Sequence, residues 1–323
     1  MVAVVRIHAF GGPEQLAYED MDVGAPGAGE VRIRQHAIGL NYTDIYSRKG
    51  RPGMKAPLIL GAEGAGEIVA VGEGVQEFKV GDRVAYAGGL GAYAAERLFP
   101  ADRTVKLPDG ISYEQAAAMM LKGMTAWYLV RRTYVVQPGA VVLMHAAAGG
   151  VGTILTQWAA HLGATVIGTV GSADKEAVAR AGGCAHVINY RNEDFVARVK
   201  EITQGRLCHV VYDGVGQATY PGSLDCLRTR GMFVAFGNAS GMIENFDFNG
   251  LGPRGSLSAA RPMLPHYVET REDLLAAAND LFAVVTSSAV KIPVARSYPL
   301  REVAQAHRDL EARATVGSCV LVP

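Results

Sequence analysis

The chain has 323 residues, of which 49% are hydrophobic, 39 are glycine and 14 are proline, and its 31 Lys and Arg balance 31 Asp and Glu. This length predicts about two domains, and the composition is typical of a globular protein with many tight turns. Because the net charge is zero, we expect neither nucleic acid nor an anionic membrane as the main partner.

The N-terminal stretch and the cysteines both predict a cytoplasmic protein. Arg6, His8 and a Gly-Gly-Pro break interrupt the first residues, so they do not form a signal peptide. No C-x-x-C pair occurs, which argues against a disulfide framework or a thiolate zinc cluster and favours a reducing compartment. The four scattered cysteines are Cys184, Cys208, Cys226 and Cys319.

Residues 1 to about 120 are predicted to be mostly β-structure. Short apolar stretches punctuated by glycine predict strands over 31–34, 66–71 and 82–86, with hairpin or loop chemistry at 72–75. From about residue 124 the pattern changes to alternating strands and helices, which is typical of βα units.

The predicted strands of this second part are short and nearly all apolar, as a parallel sheet buried on both faces requires. They cover 141–144, 164–170, 186–190, 210–213 and 232–236. The predicted helices run from Gly152 to a left-handed stop at Gly163, over 173–181, and from an Asn192 cap to Gly205. A last helix, from about 301 to 312, does not fit this rhythm, and we expect it to return to the first domain.

A glycine turn stands between the first of these strands and its helix. The stretch HAAAGGVG, residues 145–152, matches the dinucleotide fingerprint G-x-G-x-x-G in register, with Ala147 in the first glycine position. Gly149 would let the backbone approach a pyrophosphate and Gly152 would let the helix pack on the strand, while the helix N-terminus supplies N–H donors. Alanine at the first position is tolerated if its φ stays negative. We interpret His145 as a satisfied structural histidine.

The end of the second βα strand favours NADP over NAD. An NAD site needs an acidic residue there to bind the ribose hydroxyls, but this strand ends in Gly171 and Ser172, and no acid precedes Asp174. Lys175 and the Tyr190-Arg191 pair after the next strand add positive charge and hydrogen-bond donors. A small hydroxyl residue beside a cation suits a 2′-phosphate.

Eight stretches of the chain carry a resemblance to a known family: GLNYTDIYSRKG (39–50), GAEGAGEIVAVG (61–72), LKGMTAWYL (121–129), HAAAGGVG (145–152), GTVGSADK (168–175), VINYR (187–191), FGNASG (236–241) and ARPML (260–264). In these stretches the chain resembles the zinc-independent medium-chain dehydrogenase/reductases, and within them the NADPH:quinone oxidoreductase branch related to zeta-crystallin. The resemblance implies an α/β fold with a Rossmann doubly wound parallel sheet and a β-rich, chaperonin-10-like (GroES-like) catalytic domain. Residues 1–123 and 263–323 would form the catalytic domain and 124–262 the NADPH-binding domain.

No metal is expected in this chain. It has Asn41 where the zinc alcohol dehydrogenases carry a cysteine ligand, and Ala62-Glu63 where they carry a histidine followed by glutamate. The cysteine-rich lobe of those relatives is absent as well, so no His/Cys set could supply the ligands that zinc requires. A quinone, unlike an alcohol, is already a strong two-electron acceptor and can be reduced without a Lewis acid.

The resemblance implies that Asn41 and Tyr46 lie beside the nicotinamide and the substrate at an interdomain cleft. Asn41 would position the ring or donate to a carbonyl, and Tyr46 would stack or donate a hydrogen bond. The strand that ends at Phe236 meets the carboxyl edge of the sheet, where open α/β folds bind ligands. The candidate cofactor-binding residues are Asn41, Tyr46, Thr125, Gly149, Gly150, Val151, Gly171, Ser172, Lys175, Tyr190, Phe236, Gly237, Asn238, Arg261, Pro262 and Arg313.

The function predicted from the sequence is NADPH-dependent reduction of a quinone by a homodimer, with the dimer contact near 255–259. Reduction of α,β-unsaturated carbonyls uses the same fold and hydride geometry and stays open as an alternative. A crystallin-like structural or RNA-binding protein is a third hypothesis, against which the zero net charge and the lack of a basic stripe argue.

Overall fold

The computed structural model describes all 323 residues and divides them into two compact units. The first unit comprises Met1–Lys122, Glu269–Phe282 and Ile292–Pro323, and the second comprises Gly123–Val268 and Ala283–Lys291. The sequence predicts that the second domain covers residues 124–262, whereas the main segment of the second unit covers 123–268. Residues 283–291, which the sequence assigns to the first domain, also belong to the second unit. None of the helices combines the length and apolar character needed to span a lipid bilayer.

The elements follow one another in chain order from a β-rich part through a βα part to a short return. The first part contains β1 (Val2–Ile7), β2 (Leu16–Met21), β3 (Glu30–Leu40), α1 (Tyr42–Lys49), β4 (Leu58–Ile59), β5 (Glu63–Val71), β6 (Arg83–Ala87), β7 (Glu96–Pro100), β8 (Val105–Lys106) and α2 (Tyr113–Tyr128). The βα part contains β9 (Val141–Met144), α3 (Gly150–His161), β10 (Thr165–Val170), α4 (Ala173–Ala181), β11 (His186–Asn189), α5 (Phe195–Ile202), β12 (Cys208–Asp213), α6 (Tyr220–Asp225), β13 (Leu227–Ala235) and β14 (Ser258–Ala260). The return contains α7 (Arg271–Thr286), β15 (Val294–Pro299), α8 (Val303–Glu311) and β16 (Ser318–Val322).

The first unit is built on two mainly antiparallel sheets. One has the strand order β2-β1-β4, and the other has the order β15-β16-β3-β5-β6-β8 with β7 also paired to β3. Only β15 and β16 pair in parallel. Alternate residues of β3, such as Val31 and Ile33, are fully buried in the apolar core of this unit, as the two-residue period of a half-buried strand requires.

The second unit is a six-stranded, all-parallel sheet with the order β11-β10-β9-β12-β13-β14. This is the strand order 3-2-1-4-5-6 of a doubly wound dinucleotide fold, so the predicted fold class is confirmed. The order reverses between β9 and β12, and the carboxyl ends of those strands define the switch point where such folds bind ligands.

The elements that the sequence predicted for the second unit are present, with small shifts at their ends. Strand 141–144 and helix 173–181 have the predicted bounds, and Gly163 ends α3 in the left-handed conformation at φ 84°. The predicted Asn192 cap is wrong. Asp194 caps α5 by accepting from the N–H groups of Val196 and Ala197. Asn192 lies in the preceding turn, where its own N–H donates to the carbonyl of Asn189.

Candidate active site and dinucleotide turn

The glycine turn after β9 is held by backbone hydrogen bonds. Ala147 N–H donates to the carbonyl of Thr169 at the end of β10, and Gly149 N–H donates to the carbonyl of Ala146. Ala147, in the first fingerprint position, does not need a positive φ, but Ala146 before it has φ 57°. A left-handed alanine costs on the order of 1 kcal/mol, so this turn lowers the stability of the folded chain by about that amount.

Gly152 lets α3 lie against the turn. A Cβ at this position would overlap the carbonyl oxygen of Ala146 and would lie 2.8 Å from both carbonyl atoms of Ala147. The contacts are all with backbone, so no side chain can move aside. Helix α3 begins at Gly150, and the first N–H groups of a helix have no partner within it. This geometry fits a diphosphate, which needs close backbone approach and N–H donors.

The ends of β10 and β11 bring together the residues predicted for the 2′-phosphate. A Cβ on Gly171 would overlap the phenol of Tyr190, so the tyrosine ring packs directly on this glycine. Ser172 is the N-cap residue of α4, and its hydroxyl donates to the carboxylate of Asp174. That bond, with the nearby charge of Lys175, lowers the pKa of Asp174. A glycine, two hydroxyls and a cation therefore share one corner.

The loops that follow β12, β13 and β14 meet at the same edge of the sheet. A Cβ on Gly237 would overlap the carbonyl oxygen of Gly214, and a Cβ on Gly214 would lie 2.9 Å from the ring of Phe236. Arg261 donates through Nη1 to the carbonyl of Ala235 at 2.7 Å. The predicted residues Phe236 to Asn238 and Arg261-Pro262 thus belong to one loop cluster.

Buried polar side chains at the carboxyl ends of β9 and β12 hold this edge of the sheet in place. Asp213, fully buried at the end of β12, accepts through Oδ2 from the hydroxyls of Thr219 and Ser223 and through Oδ1 from two backbone N–H groups. His145 bonds Thr169 through Nδ1 at 2.9 Å and Ser223 through Nε2 at 3.0 Å. Burial lowers the pKa of His145, against the opposing charge of Asp213. His145 is therefore a satisfied structural histidine, and its serine partner was not predicted from the sequence.

Thr125 lies in α2, and its side chain bonds the phenol of Tyr128. The Tyr128 ring is stacked on Tyr267 at a centroid distance of 4.5 Å. Burial raises the pKa of Tyr128, so its hydroxyl stays protonated at neutral pH. Thr125 thus belongs to an aromatic cluster of the second unit.

Asn41 and Tyr46 lie in the first unit, at and near the start of α1. Asn41 is the N-cap residue of this helix and is only 6% exposed, whereas Tyr46 is half-buried one turn further on. The Tyr46 ring makes an edge contact with Tyr42 at 5.4 Å and has the guanidinium of Arg51 at 5.6 Å from its centroid. One local element therefore presents both predicted catalytic residues.

The carboxamide of Asn41 is bound to a buried ion pair that the sequence did not predict. Its Nδ2 donates to Oε2 of Glu63 at 2.7 Å, and Nζ of Lys122 lies 3.1 Å from the same oxygen. The N–H of Leu121 donates to Oε1 of Glu63 at 2.6 Å. Glu63 is fully buried and Lys122 is 6% exposed. Charged residues inside the apolar stretches GAEGAG and MMLKGM are the signal that could have found them.

Asp44 in the first turn of α1 is a second buried carboxyl near Asn41. Its Oδ2 accepts from the backbone N–H of Asn41 and from the hydroxyl of Tyr93, both at 2.9 Å. Its Oδ1 has no partner. Complete burial raises the pKa of Asp44 to about 7, although the two hydrogen bonds oppose the shift.

His307 of α8 continues this network. Nη1 of Arg48 lies 2.9 Å from Nδ1 of His307, and because arginine only donates, Nδ1 must accept and Nε2 must carry the proton. Nε2–H then donates to the Tyr93 oxygen at 2.9 Å, which leaves the tyrosine hydroxyl to donate to Asp44. Burial, with the charge of Arg48, lowers the pKa of His307 to about 3. Arg48 is also paired with Glu311 at 2.8 Å.

Arg313 lies in the first unit just past the end of α8. It adopts φ 57° and occupies the left-handed position that follows a helix, where glycine is usual. The next residue closes the helix, since Ala314 N–H donates to the carbonyl of Asp309. Its backbone role is therefore helix termination.

The donors needed for a metal site are not assembled in this chain. No group of three or more His, Cys, Asp or Glu side chains could hold an ion. Asn41, compared with a cysteine ligand of the zinc enzymes, binds Glu63, which was compared with the glutamate that follows their histidine.

The chain is similar to known proteins over its whole length. Two family models match, a zinc-binding dehydrogenase model over residues 150–277 and an alcohol dehydrogenase GroES-like domain over 27–109. A quinone oxidoreductase of Pseudomonas aeruginosa is 48% identical over the full length of both chains. The crystal structure of Escherichia coli quinone oxidoreductase complexed with NADPH matches with a TM-score of 0.97 and 47% identity, covering 99% of this chain and 100% of that one. A 2-haloacrylate reductase of a Burkholderia species is 46% identical, covering 100% of this chain and 99% of the relative.

Proposed function

Because this chain belongs to the quinone oxidoreductase branch of the medium-chain dehydrogenase/reductases, we propose that it is an NADPH-dependent enzyme that reduces a quinone by hydride transfer. The observation that carries the proposal is the turn at Gly149 to Gly152, where backbone atoms leave no space for a side chain at Gly152 and the first N–H groups of α3 have no partner within the helix. Full-length identity of 48% to a quinone oxidoreductase supports the same activity.

The second unit is proposed to bind NADPH. The N–H groups of Gly150 and Val151 would hold the diphosphate, and Ser172, Lys175 and Tyr190 would hold the 2′-phosphate. The phosphate would compete with Asp174 for the Ser172 hydroxyl, and Lys175 would supply the charge that favours the phosphate. The remaining proposed contacts are those of Thr125, Gly149, Gly171, Phe236, Gly237, Asn238, Arg261, Pro262 and Arg313.

NADPH, when bound, supplies a hydride from C4 of its nicotinamide, and a proton completes the hydroquinone. The residues of this chain bind, orient and exclude water. Asn41 is proposed to hold the nicotinamide or a quinone carbonyl through the polar atoms of its carboxamide, and Tyr46 to stack on the acceptor or donate a hydrogen bond to it. Since a quinone accepts electrons readily, positioning and weak polarisation of its carbonyl suffice.

Steady-state oxidation of NADPH with a panel of acceptors tests the proposal. We expect benzoquinones or naphthoquinones to give the highest kcat/KM. A second candidate activity is reduction of α,β-unsaturated carbonyls, which the identity to a 2-haloacrylate reductase favours. Faster turnover of an alkenal or a haloacrylate than of every quinone would replace the first activity by the second, and no turnover of either class would contradict both.

The Lys175→Ala variant is expected to lose preference for NADPH. Removing a cation beside a phosphate costs about 1.5–3 kcal/mol, so kcat/KM for NADPH should fall roughly 10- to 100-fold while kcat/KM for NADH stays unchanged. Initial rates with both cofactors measure the ratio. Lys200→Ala, an exposed lysine of α5 in the same unit, is the matched control. An unchanged ratio in Lys175→Ala would show that the 2′-phosphate lies elsewhere.

The Tyr46→Phe variant tests the hydroxyl of this residue. If the hydroxyl donates to the acceptor, kcat should fall about tenfold, a modest loss for a proton donor because solvent can also supply the proton. Tyr42→Phe, which alters the ring in edge contact with Tyr46, is the control. Turnover of Tyr46→Phe at the rate of the unaltered enzyme would leave the ring a stacking role only.

We propose that the enzyme is a homodimer joined through β14. This strand ends the six-stranded sheet, so the backbone groups along its outer edge have no strand partner, and Ser258 and Ala259 are exposed with small side chains. The predicted contact near 255–259 includes its first residues.

We also propose that the protein works in the cytoplasm. All four cysteines are buried as free thiols, which is the state that a reducing compartment maintains.

A further inference from the structure

Glu63 and Lys122 form a buried ion pair, although apolar side chains could fill the same space. Removing two charges from water is unfavourable before their attraction is counted, and apolar residues of the same size often stabilise a fold as well or better. The chain nevertheless makes room for this pair. A Cβ on Gly39 of β3 would overlap both Glu63 Oε2 and the carbonyl oxygen of Ala117. Glycine inside a strand is less stable than alanine, so accommodating the carboxylate destabilises β3 as well.

Every partner of the Glu63 carboxylate is a donor. Asn41 Nδ2 and Lys122 Nζ donate to Oε2, and the Leu121 N–H donates to Oε1. A carboxylate, which accepts at both oxygens and donates at neither, satisfies all three. The carboxamide of Asn41 must therefore turn its nitrogen toward Glu63 and keep its oxygen on the opposite branch. An amide has nearly the same shape in both orientations, so packing by itself would not choose between them.

We propose that Glu63, paired with Lys122, is a positioning residue that fixes the carboxamide of Asn41 in one orientation for hydride transfer. The inference rests on the proposed role of Asn41 at the nicotinamide and the quinone. It adds the residues that make that role specific: the carboxylate selects the orientation, the lysine compensates its charge, and the Leu121 N–H holds its other oxygen. The hydrogen bond to Glu63 thus sets where Oδ1 and the second hydrogen of Nδ2 lie.

The Glu63→Gln variant is the test. A glutamine offers one oxygen and one NH2 group to three donors, so a donor meets the NH2 group in either amide orientation. Lys122 also loses its counter-charge, and the Asn41 carboxamide is then no longer held in one orientation. We expect kcat and the single-turnover rate of NADPH oxidation to fall about tenfold or more, with the Kd for NADPH within about twofold of its original value. Glu67→Gln, the same substitution on the same strand at a half-buried position, should change neither.

Two further variants separate positioning from folding. In Glu63→Gln combined with Lys122→Met both charges are removed, so the melting temperature should return toward the original value while kcat stays low. Recovery of kcat together with the melting temperature would show that the pair is only structural and would overturn the inference. In an Asn41→Ala background, Glu63→Gln should cause no further loss of kcat; an independent, multiplicative loss would also overturn it.

The same variants distinguish failure of this inference from failure of the proposed function. If Asn41→Ala lowers kcat and Glu63→Gln does not, the positioning role alone is wrong. If Asn41→Ala leaves kcat unchanged, the role of Asn41 is wrong, and the positioning role falls with it. Absence of quinone reduction by the unaltered enzyme would contradict the function itself.

Discussion

Replacing Gly152 by alanine is expected to weaken NADPH binding on the order of 100-fold, or about 2.7 kcal/mol. The added Cβ would overlap the carbonyl oxygen of Ala146 and press on the carbonyl group of Ala147. Since these atoms are backbone, either α3 or the turn must move, and the N–H groups of Gly150 and Val151 move with it. Fluorescence titration or calorimetry with NADPH measures the change.

The control for this prediction is Gly252→Ala in the same unit. Gly252 has a helical φ of −61°, and the nearest atom to an added Cβ is the carbonyl oxygen of Asn249 at 3.8 Å. Its affinity for NADPH should equal that of the unaltered protein. Thermal unfolding of both variants shows whether the loss is local. A folded Gly152→Ala variant that binds NADPH with unchanged affinity would contradict the assignment of the turn.

The Asp44→Asn variant is expected to change how stability depends on pH. The pKa of Asp44 is about 7 in the folded protein and 3.8 in its reference state. Between these values the folded protein keeps a proton that the unfolded chain releases, so the free energy of unfolding falls by about 1.4 kcal/mol per pH unit as pH rises. The contribution is complete below pH 3.8 and is lost once the pH has passed about 7. Asparagine keeps both acceptor contacts and removes the titration.

His307 contributes a slope of the opposite sign. Its pKa falls from 6.5 to about 3 on folding, so its stabilising contribution is complete above pH 6.5 and is lost as pH falls toward 3. The two slopes oppose each other between about pH 4 and 6.5 in the unaltered protein, and the Asp44→Asn variant leaves the His307 slope uncompensated. The groups around Asp44 are Tyr93, Glu63 and Lys122.

Urea unfolding at a series of pH values measures this difference. The free energy of unfolding of Asp44→Asn, minus that of the unaltered protein, should rise by on the order of 4 kcal/mol from pH 4 to pH 7. The exposed Asp20→Asn is the control and should give a nearly flat difference. A flat difference for Asp44→Asn as well would mean that Asp44 is ionised throughout this range.

Local sequence patterns were enough to predict five strands and three helices of the second unit, although not the short helix α6. The predicted strands are short apolar runs, the predicted helices end at glycines, and the turn before α3 carries its glycines within eight residues, so each of these features depends on neighbours in the chain. The short helix α1 was not predicted, because Tyr42, Thr43 and Ile45 favour strands and the helix depends on tertiary contacts of Asp44 and Arg48.

The polar networks could not be predicted for the same reason. Glu63 is 22 residues from Asn41 and 59 from Lys122, and His145 is 78 residues from Ser223, so no local pattern links them. The sequence identified Asn41 by resemblance to a family. Only folding brings β3, β5 and α2 together, so that Glu63, held by Lys122 and Leu121, gives the carboxamide of Asn41 one orientation.

The most direct test of the whole account is an anaerobic single turnover with NADPH deuterated at C4 and a benzoquinone. The account predicts one hydroquinone formed per NADPH oxidised, a slower rate when deuterium occupies the transferred position, and a much slower reaction with NADH. The account would be contradicted if NADPH were oxidised without formation of hydroquinone. It would also be contradicted if neither deuterium at the transferred position nor the use of NADH changed the rate.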